Sequence, residues 1–532
     1  MEMKSFEETV DVLYSLQSNA ATMKQWINER RSNPNTSRLA DVEAALKIVG
    51  VDVDKQSIIH VAGTKGKGST SAFAEGILRE YGYSTGLFTS PHLVNVCERI
   101  RLNGKPIAKD KFKHYFWDVY NALDSRRKLQ VDGAPSLPFF HFMTVLAYKI
   151  FQEEGVDVSI IEVGIGGRGD ATNVCSHPIV TGIATLDYDH MNVLGDTIEE
   201  IAMEKAGIMK KGVPAYTSPQ WSNAMNVLEE KSREHGAAFL TVVNGLSSGG
   251  LVGSVLKRRG DHQLLNAALA VQLAAEWLRS SGKGNEADIS ALPPRTLALS
   301  RSAPSSSACT DSSSHISSGY VELPEQFQKG LINTRWPGRS HICKAPHALP
   351  NTTLYLDGAH TPHSMEVCSR WMIQCYEAQH RPIPPSSSPR AECRDKSCKR
   401  VLVYGCRVNK DPSDLMAPLF PMMKNHISFD HVIFTTISLN GQEKIGKLSL
   451  EHDENHVARL KAYWLETARP NGKQEVCATY CITEAVEEIK RIRSENNIET
   501  HLHVFVCGSL YVVGGMMEIL SIPIDSYEPI PI

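Results

Sequence analysis

One short segment restricts the possible folds more than any other part of the chain. Residues 60–70 read HVAGTKGKGST, and they lie between an apolar run at 57–62 and a helical spacing of apolar residues at 69–81. A strand that ends in a glycine-rich turn before a helix presents backbone N–H groups and a helix N-terminus to anions. The segment therefore predicts a loop that binds nucleotide phosphates, with Lys67 supplying positive charge to the β- and γ-phosphates.

The spacing within this segment differs from the standard phosphate-loop pattern GxxxxGK[ST]. Fewer residues separate its glycines, and Gly68 stands between Lys67 and Ser69. The alternative interpretation is a strand-to-helix turn that uses glycine only for its backbone angles. The order of strand, turn and helix favours the nucleotide site.

Two ionisable residues stand at the ends of later apolar runs. Glu162 lies near the end of the run at 158–163, and His190 follows the run at 179–185 within the sequence LDYDH. Because successive strand ends of a parallel sheet converge on one edge, we expect both side chains near the phosphate loop. Carboxylate oxygens suit Mg²⁺, and a neutral imidazole nitrogen could complete a mixed site. The alternative is that each residue is a hydrogen-bonded structural group.

A lysine falls on the apolar face of the next predicted helix. Thr197 and Glu200 have the spacing of a capping box, and the helix that follows places Lys205 in line with Ile198 and Ile201. One interpretation is a lysine whose amine reaches out to solvent along the helix surface. The other is a lysine directed into the site.

The order of the elements predicts an α/β protein of two domains. Apolar runs typical of buried strands recur at 353–356, 401–404, 431–435 and 502–506, with helical patterns between most of them. A chain of 532 residues exceeds one ordinary core. We place the boundary at the Pro- and Gly-containing stretch 333–338, which gives domains 1–332 and 333–532. The serine-rich stretch 301–319 and the mixed stretch 381–398 are predicted to be surface insertions.

Composition excludes several classes of protein. The net charge of −3 gives no reason to expect a nucleic-acid partner. No uninterrupted apolar run reaches membrane-spanning length, so no membrane insertion is expected. The acidic first ten residues lack the pattern of a secretory signal and that of a transit peptide. We therefore expect a cytoplasmic protein, with a mitochondrial isoform as an alternative.

A series of short motifs follows along the chain: GTKGKGST, TSPHL, EVGIGGRGDATN, LDYDH, MEKAGI, HQLLNAAL, WPGR, LDGAH and GSLYVVGG. Taken together and in this order, they resemble the motifs of one family, the folylpolyglutamate synthases, which are relatives of the Mur ligases. The resemblance runs from about residue 57 to 365 and more weakly to 508–515. The resemblance implies an N-terminal ATPase domain of the phosphate-loop type with a mostly parallel sheet, and a smaller Rossmann-like C-terminal α/β domain.

The same resemblance implies a set of nucleotide contacts. The residues that it assigns to ATP are Thr64, Lys65, Gly66, Lys67, Gly68, Ser69, Asn266, Arg339 and Asp357. It also implies that Ser90, Glu162 and His190 bind magnesium.

The resemblance implies four catalytic residues: Lys67, His190, Lys205 and His360. Lys67 and His190 are also implied to bind ATP and magnesium, respectively. Lys205 matches a lysine that is carbamylated in bacterial members, and His360 is implied to lie close to the reaction or to the incoming glutamate. Phe140 and Asp170 correspond to contacts with the pterin side of the folate. A monovalent cation such as K⁺ is an additional candidate cofactor.

The activity implied is the ATP-dependent ligation of L-glutamate to a folate through an acyl phosphate, by a monomer that acts on small molecules. Two alternatives stay open at this point. One is a dihydrofolate synthase, alone or as a second activity, because GGRGDATN resembles the bifunctional enzymes. The other is a nucleotide-gated binding module that hydrolyses ATP as a switch.

Overall fold

The computed structural model describes most of the chain, and the residues fall into two compact units. The first comprises Met1–Pro91, Cys97–Gly253 and Leu264–Thr334, and the second comprises His92–Val96, Ser254–Gln263 and Arg335–Ile532. The two predicted insertions, 301–319 and 381–398, lie outside the described residues except for Cys398. The described residues are 4–16, 39–128, 137–283, 290, 292, 323–380, 398–408, 411–439, 450–468 and 474–526.

The first unit is built on a mixed sheet of eight strands among its described residues. The order across the sheet is β4-β3-β2-β5-β1-β6-β7-β8, and all neighbours are parallel except for β2 with β3 and β3 with β4. The strands are β1 (Ile58–Ala62), β2 (Thr85–Phe88), β3 (Ile100–Leu102), β4 (Lys105–Pro106), β5 (Val158–Glu162), β6 (Val180–Ile183), β7 (Pro214–Thr217) and β8 (Phe239–Val242).

Eleven helices are described in the part of the chain that forms the first unit. Two of them, Gly250–Arg258 and His262–Ser280, contribute residues to both units. The helices are α1 (Phe6–Ser15), α2 (Leu39–Ile48), α3 (Lys67–Glu80), α4 (Lys109–Lys128), α5 (Phe139–Glu153), α6 (Met191–Leu194), α7 (Ile198–Ala206), α8 (Ser222–Glu234), α9 (Gly250–Arg258), α10 (His262–Ser280) and α11 (Glu325–Asn333).

The central strands form because their sequences are apolar without alternation. All five residues of β1 and all five of β5 are buried, as expected for parallel strands covered on both faces. After β1 the chain proceeds to β2 on one side, whereas β6, the other neighbour of β1, leads to β7 on the opposite side. The carboxyl ends of β1 and β6 therefore form a topological switch point, where ligands bind in sheets of this kind.

The second unit has its own sheet, with six strands among the described residues. The order is β13-β12-β11-β14-β10-β9, parallel throughout except for the antiparallel pair β9–β10. Its strands are β9 (His341–Lys344), β10 (Thr352–Leu356), β11 (Cys398–Tyr404), β12 (His431–Thr435), β13 (Glu475–Thr479) and β14 (His501–Cys507). Its remaining helices are α12 (Pro362–His380), α13 (Pro412–Met416), α14 (Leu419–Asn425), α15 (Leu450–Ala468), α16 (Ile482–Glu495) and α17 (Leu510–Ile519).

The predicted fold class, two α/β parts with mostly parallel sheets, is confirmed. Every apolar run that was assigned to a buried strand forms one, within a few residues of its predicted limits. The limits of the two predicted domains stay a prediction. They differ from the two units in segments 92–96 and 254–263, which group with the C-terminal unit, and at 333–334, which group with the N-terminal unit. Among the described residues, no helix is long and apolar enough to cross a membrane.

Two buried histidines, one in each sheet, resist protonation. Burial lowers the pKa of His60 in β1 to about 3 and that of His341 in β9 to about 4. The Nε2 atom of His60 lies 2.9 Å from the hydroxyl of Thr172. The unfolded chain therefore binds protons more readily than the folded chain, and stability rises with pH through this range.

We expect the free energy of unfolding to fall as the pH drops below 6.5 toward 3. At pH 5 the contribution of His60 alone is a loss of about 2 kcal/mol relative to pH 7.5. Urea unfolding at several pH values measures it. The variant His60→Asn, which keeps an N–H donor but does not titrate, should show a shallower dependence. An identical pH dependence in the variant would contradict this role of His60.

Candidate active site

The glycine-rich turn after β1 has a backbone conformation that side chains disfavour. Gly63 has φ 142° and Gly66 has φ 85°, both in the region open mainly to glycine. Gly66 caps helix α3, so the N–H groups of Lys67, Gly68 and Ser69 lie in the first turn, where a helix provides no acceptor for them. A Cβ at Gly66 would lie 2.1 Å from Oδ1 of Asn266. Asn266 thus packs directly against the loop, as its assignment to the same ligand requires.

The loop is fixed to the chain that follows β6. The N–H groups of Thr64 and Lys65 both donate to the carbonyl oxygen of Thr185, at 2.9 and 3.0 Å. The Thr64 hydroxyl donates to the carbonyl oxygen of Asp187, and Lys65 Nζ lies 3.0 Å from Asp189 Oδ2. The N–H groups of Thr64 and Lys65 and the side chain of Lys65 therefore already have hydrogen-bond partners within the protein. The N–H groups from Gly66 onward stay the predicted donors to the phosphates.

Lys205 is buried and contacts the phosphate loop. Helix α7 begins with the predicted capping box of Thr197 and Glu200, which is confirmed. At its other end Lys205 Nζ donates to the carbonyl oxygen of Gly63 at 3.0 Å. Because the side chain is 3% exposed, the interpretation as a lysine that reaches solvent is wrong. Burial, then the positive charge of Lys67, lowers the pKa of Lys205 to about 7.

The three predicted magnesium ligands divide into a pair and a single residue. The buried carboxylate of Glu162 accepts a hydrogen bond from the N–H of Ser90 at 2.8 Å, at the carboxyl ends of β5 and β2. His190 follows β6, the other neighbour of β1, and the charges of Lys67, Lys205 and Lys65 act on it. Partial desolvation lowers its pKa, the carboxylate of Asp189 opposes the shift, and Lys67 adds to it.

The donors present fit a magnesium ion that shares its ligands with a nucleotide. A buried carboxylate and a serine hydroxyl are hard oxygen donors. Over the described ranges, no group of three or more His, Cys, Asp or Glu side chains could hold a metal without further ligands. Magnesium is bound through one or two carboxylates together with phosphates and water rather than by such cages, and the donors of Glu162 and Ser90 fit a site of that kind.

The two residues assigned to the pterin differ in how open they are. The ring of Phe140 is partly exposed, stacks on Phe88 at 5.8 Å and covers Gly164, where a Cβ would lie 2.4 Å from the ring. The carboxylate of Asp170 is buried and accepts from the N–H groups of Ile165 and Thr172. Asp170 therefore holds its own loop in shape, and its contact with a substrate stays a prediction.

In the second unit, three predicted residues gather around Gly358. The buried carboxylate of Asp357 accepts from the N–H groups of Ser340 and Ala359, at 2.8 and 2.9 Å. Burial raises the pKa of Asp357, and Arg339 opposes that shift. If Gly358 carried a Cβ atom, that atom would lie 3.0 Å from the Arg339 guanidinium. His360 Nδ1 lies 2.8 Å from the carbonyl oxygen of Gly358.

Several residues of the site were not singled out from the sequence. Thr185 acts through its carbonyl oxygen, which no residue type signals. The pairing of Lys65 with Asp189 joins residues 124 positions apart, and that of Arg168 with Glu204 joins residues 36 apart. The motifs GTKGKGST and LDYDH hold the first pair, so a joint reading of charged residues in motifs at adjacent strand ends could have proposed it.

The contact of Gly66 with Asn266 can be tested against a second glycine of the same backbone geometry. Gly66→Ala should weaken the binding of a non-hydrolysable ATP analogue at least about 10-fold, because the new methyl group displaces Asn266 and the loop. Gly82→Ala is the control, since Gly82 has φ 87° with nothing within 4 Å of the added Cβ. Both variants should lose about 1 kcal/mol of stability to backbone strain. Equal affinity of the two variants in calorimetric titrations would contradict the assignment.

The chain is similar over nearly its whole length to curated folylpolyglutamate synthases. It is 36% identical to the enzyme of Arabidopsis thaliana, with 97% of this chain and 88% of the relative covered. It is 33% identical to the mitochondrial enzyme of Homo sapiens (97% of this chain and 92% of the relative covered). It is 32% identical to the folylpolyglutamate synthase of Candida albicans (97% and 96%). No family model matches the chain.

Solved structures of folylpolyglutamate synthases share the fold. The enzyme of Mycobacterium tuberculosis, complexed with ADP and AMPPCP, gives a TM-score of 0.65 at 22% identity, with 91% of this chain and 96% of that chain covered. The enzyme of Thermotoga maritima gives 0.64 at 23% identity, with 97% of each chain covered. Given sequence identities above 30% across 97% of its length, the chain belongs to the folylpolyglutamate synthase family.

Proposed function

We propose that this protein uses ATP to join L-glutamate to the γ-carboxylate of tetrahydrofolate or of a folylpolyglutamate. The observation that carries the proposal is the full-length similarity to curated folylpolyglutamate synthases, because it spans both units. A solved FPGS–AMPPCP–folate complex has the same fold, at a TM-score of 0.62. That related protein thus binds an ATP analogue together with a folate.

The reaction proceeds in two steps because a carboxylate is a poor acyl donor. In the first, an oxygen of the folate γ-carboxylate attacks the γ-phosphorus of ATP, the bond to the bridging oxygen breaks, and ADP leaves. In the second, the amine of glutamate attacks the acyl carbon, and phosphate departs with the former carboxylate oxygen while the amine loses a proton. An amide, ADP and phosphate result, so atoms and charge balance.

Lys67 and the N–H groups of the first turn of α3 stabilise the phosphoryl group during transfer. They are fixed before the substrate arrives, because the loop is bound to Thr185 and Lys205. Fixed donors directed at developing charge are the largest source of catalysis in most sites of this kind. Lys65 also holds the loop to Asp189, and its contact with the phosphates is part of the proposal.

Magnesium is proposed to bind at Ser90, Glu162 and His190. Bound there, the ion would neutralise charge on the β- and γ-phosphates. Asn266 is proposed to contact the nucleotide beside Gly66, and Arg339 and Asp357 to contact it from the second unit. His360 is proposed to approach the incoming glutamate, and Phe140 and Asp170 to form the pterin side. Binding of K⁺ rests on the resemblance alone.

The state of Lys205 follows from its burial. With its pKa at about 7, about half of the Lys205 side chains are neutral at neutral pH. A neutral amine is the form that reacts with CO₂, so the environment suits the carbamate found at the matching lysine of bacterial relatives. The carbamate would replace a positive charge beside Lys67 by a negative one and provide oxygen atoms for magnesium.

We further propose that the protein acts as a monomer in the cytoplasm. Its folate, glutamate and ATP are small-molecule partners, and neither a nucleic acid nor a second copy of the chain has an assigned role in the site. Relatives from Homo sapiens, Bos taurus and Cricetulus griseus are named mitochondrial, so an isoform in that compartment is the alternative.

The release of ADP in the presence of different substrates tests the proposed function. We expect release only when tetrahydrofolate and glutamate are both present, with an elongated folate as product by mass spectrometry. Release with dihydropteroate and glutamate would establish a dihydrofolate synthase activity. Steady release from ATP alone would indicate a nucleotide switch and contradict the ligase.

The same assay tests Lys67. Lys67→Ala should lower kcat at least about 100-fold, because a charge that stabilises the transferred phosphoryl group is lost. The control is Lys211→Ala, which removes an exposed lysine of the same unit and should leave kcat unchanged. Turnover of Lys67→Ala within a few-fold of the wild type would contradict the nucleotide-site assignment.

A further inference from the structure

The loop that follows β5 is joined to the end of helix α7 by contacts to which the proposed mechanism gives no role. The N–H group of Arg168 donates to the carbonyl oxygen of Glu204 at 2.7 Å. The Arg168 guanidinium donates to the carboxylate of the same residue, with Nη2 2.6 Å from Oε1. One residue of the loop thus holds one residue of the helix through both its backbone and its side chain.

Close packing leaves little freedom at this junction. A Cβ at Gly167 would lie 2.6 Å from the Glu204 carbonyl oxygen and 3.0 Å from the Lys205 Cα. A Cβ at Gly207 would lie 2.4 Å from the Arg168 Cβ. The amide of Asn173 also donates to the carbonyl oxygens of Arg168 and Gly207, at 3.0 and 3.1 Å. The loop and the end of the helix therefore approach each other to backbone distance.

The junction determines where Lys205 lies, since Lys205 directly follows Glu204. Its Nζ reaches the Gly63 carbonyl oxygen, the first residue of the phosphate loop. The loop that carries Arg168 begins just after Glu162, a proposed magnesium ligand. We propose that Arg168 is a positioning residue for the ligation reaction and acts through Glu204 to hold Lys205 against the phosphate loop. This inference rests on the proposed function.

The solvent exposure of the Arg168–Glu204 ion pair indicates that it contributes little to the stability of the fold. The side chain of Arg168 is 37% exposed and that of Glu204 is 11% exposed. An ion pair open to water on one side contributes little to the stability of a fold. The backbone contacts of the junction remain when the Arg168 side chain is shortened. Loss of the guanidinium should therefore alter catalysis much more than unfolding.

A double-mutant cycle between Arg168 and Lys205 tests the proposal. Arg168→Gln should lower kcat about 10-fold, because a small displacement of a catalytic group has an effect of this size. Its KM for ATP should change less than about 3-fold, since Lys67 and the first-turn N–H groups are untouched. In a Lys205→Ala background, Arg168→Gln should change kcat less than about 2-fold. Independent, multiplicative effects of the two changes would overturn the proposal.

Three further variants complete the experiment. Glu204→Gln should reproduce the effect of Arg168→Gln, and Arg168→Lys should restore part of the lost kcat because the charge returns. Lys111→Gln breaks a 2.6 Å ion pair with Glu154 elsewhere in the first unit and should leave kcat unchanged. The melting temperatures of Arg168→Gln and Glu204→Gln are measured as well. If these variants are partly unfolded at the assay temperature, and the unfolded fraction explains the lost kcat, the proposal is also overturned.

The cycle is measured by single-turnover ADP formation and by binding of a non-hydrolysable ATP analogue. Ligation by the wild type is established first. A wild type that binds the analogue but never forms an elongated folate would defeat the proposed function. A wild type that ligates, with independent effects of Arg168 and Lys205, would defeat only the positioning role.

Discussion

The carbonyl oxygen of Thr185 is the acceptor on which the site depends. It accepts the N–H groups of both Thr64 and Lys65 and thereby connects the ends of β1 and β6 at the topological switch point. With the turn held in this way, Gly66 can take its left-handed conformation and helix α3 begins with its N–H groups free for an anion. The loop is thus shaped by the protein before any nucleotide binds.

Charge is the second constraint on the same loop. Lys65, Lys67 and Lys205 lie close enough together for each to influence His190, and Asp189 is the carboxylate that balances them. The protein reduces the repulsion by burying Lys205, whose pKa falls to about 7, and by pairing Lys65 with Asp189. What remains is a positive potential centred on Lys67, where a polyphosphate would be bound.

The sequence predicted the fold better than the connections within the site. Uninterrupted apolar runs revealed the buried strands, and the capping box of Thr197 and Glu200 located the helix that carries Lys205. The direction of the lysine could not be predicted, because its acceptor, Gly63, is 142 residues away and acts through a backbone carbonyl. For the same reason, resemblance could assign Asp170 to the pterin but could not reveal that its carboxylate is occupied by N–H groups of its own loop.

In the proposed reaction the phosphoryl group passes to a carboxylate rather than to water. Labelling the γ-carboxylate of the folate with ¹⁸O on both oxygens distinguishes the two acceptors. Each turnover should move one labelled oxygen into inorganic phosphate and leave the other in the new amide. Formation of the elongated folate with unlabelled phosphate would contradict it.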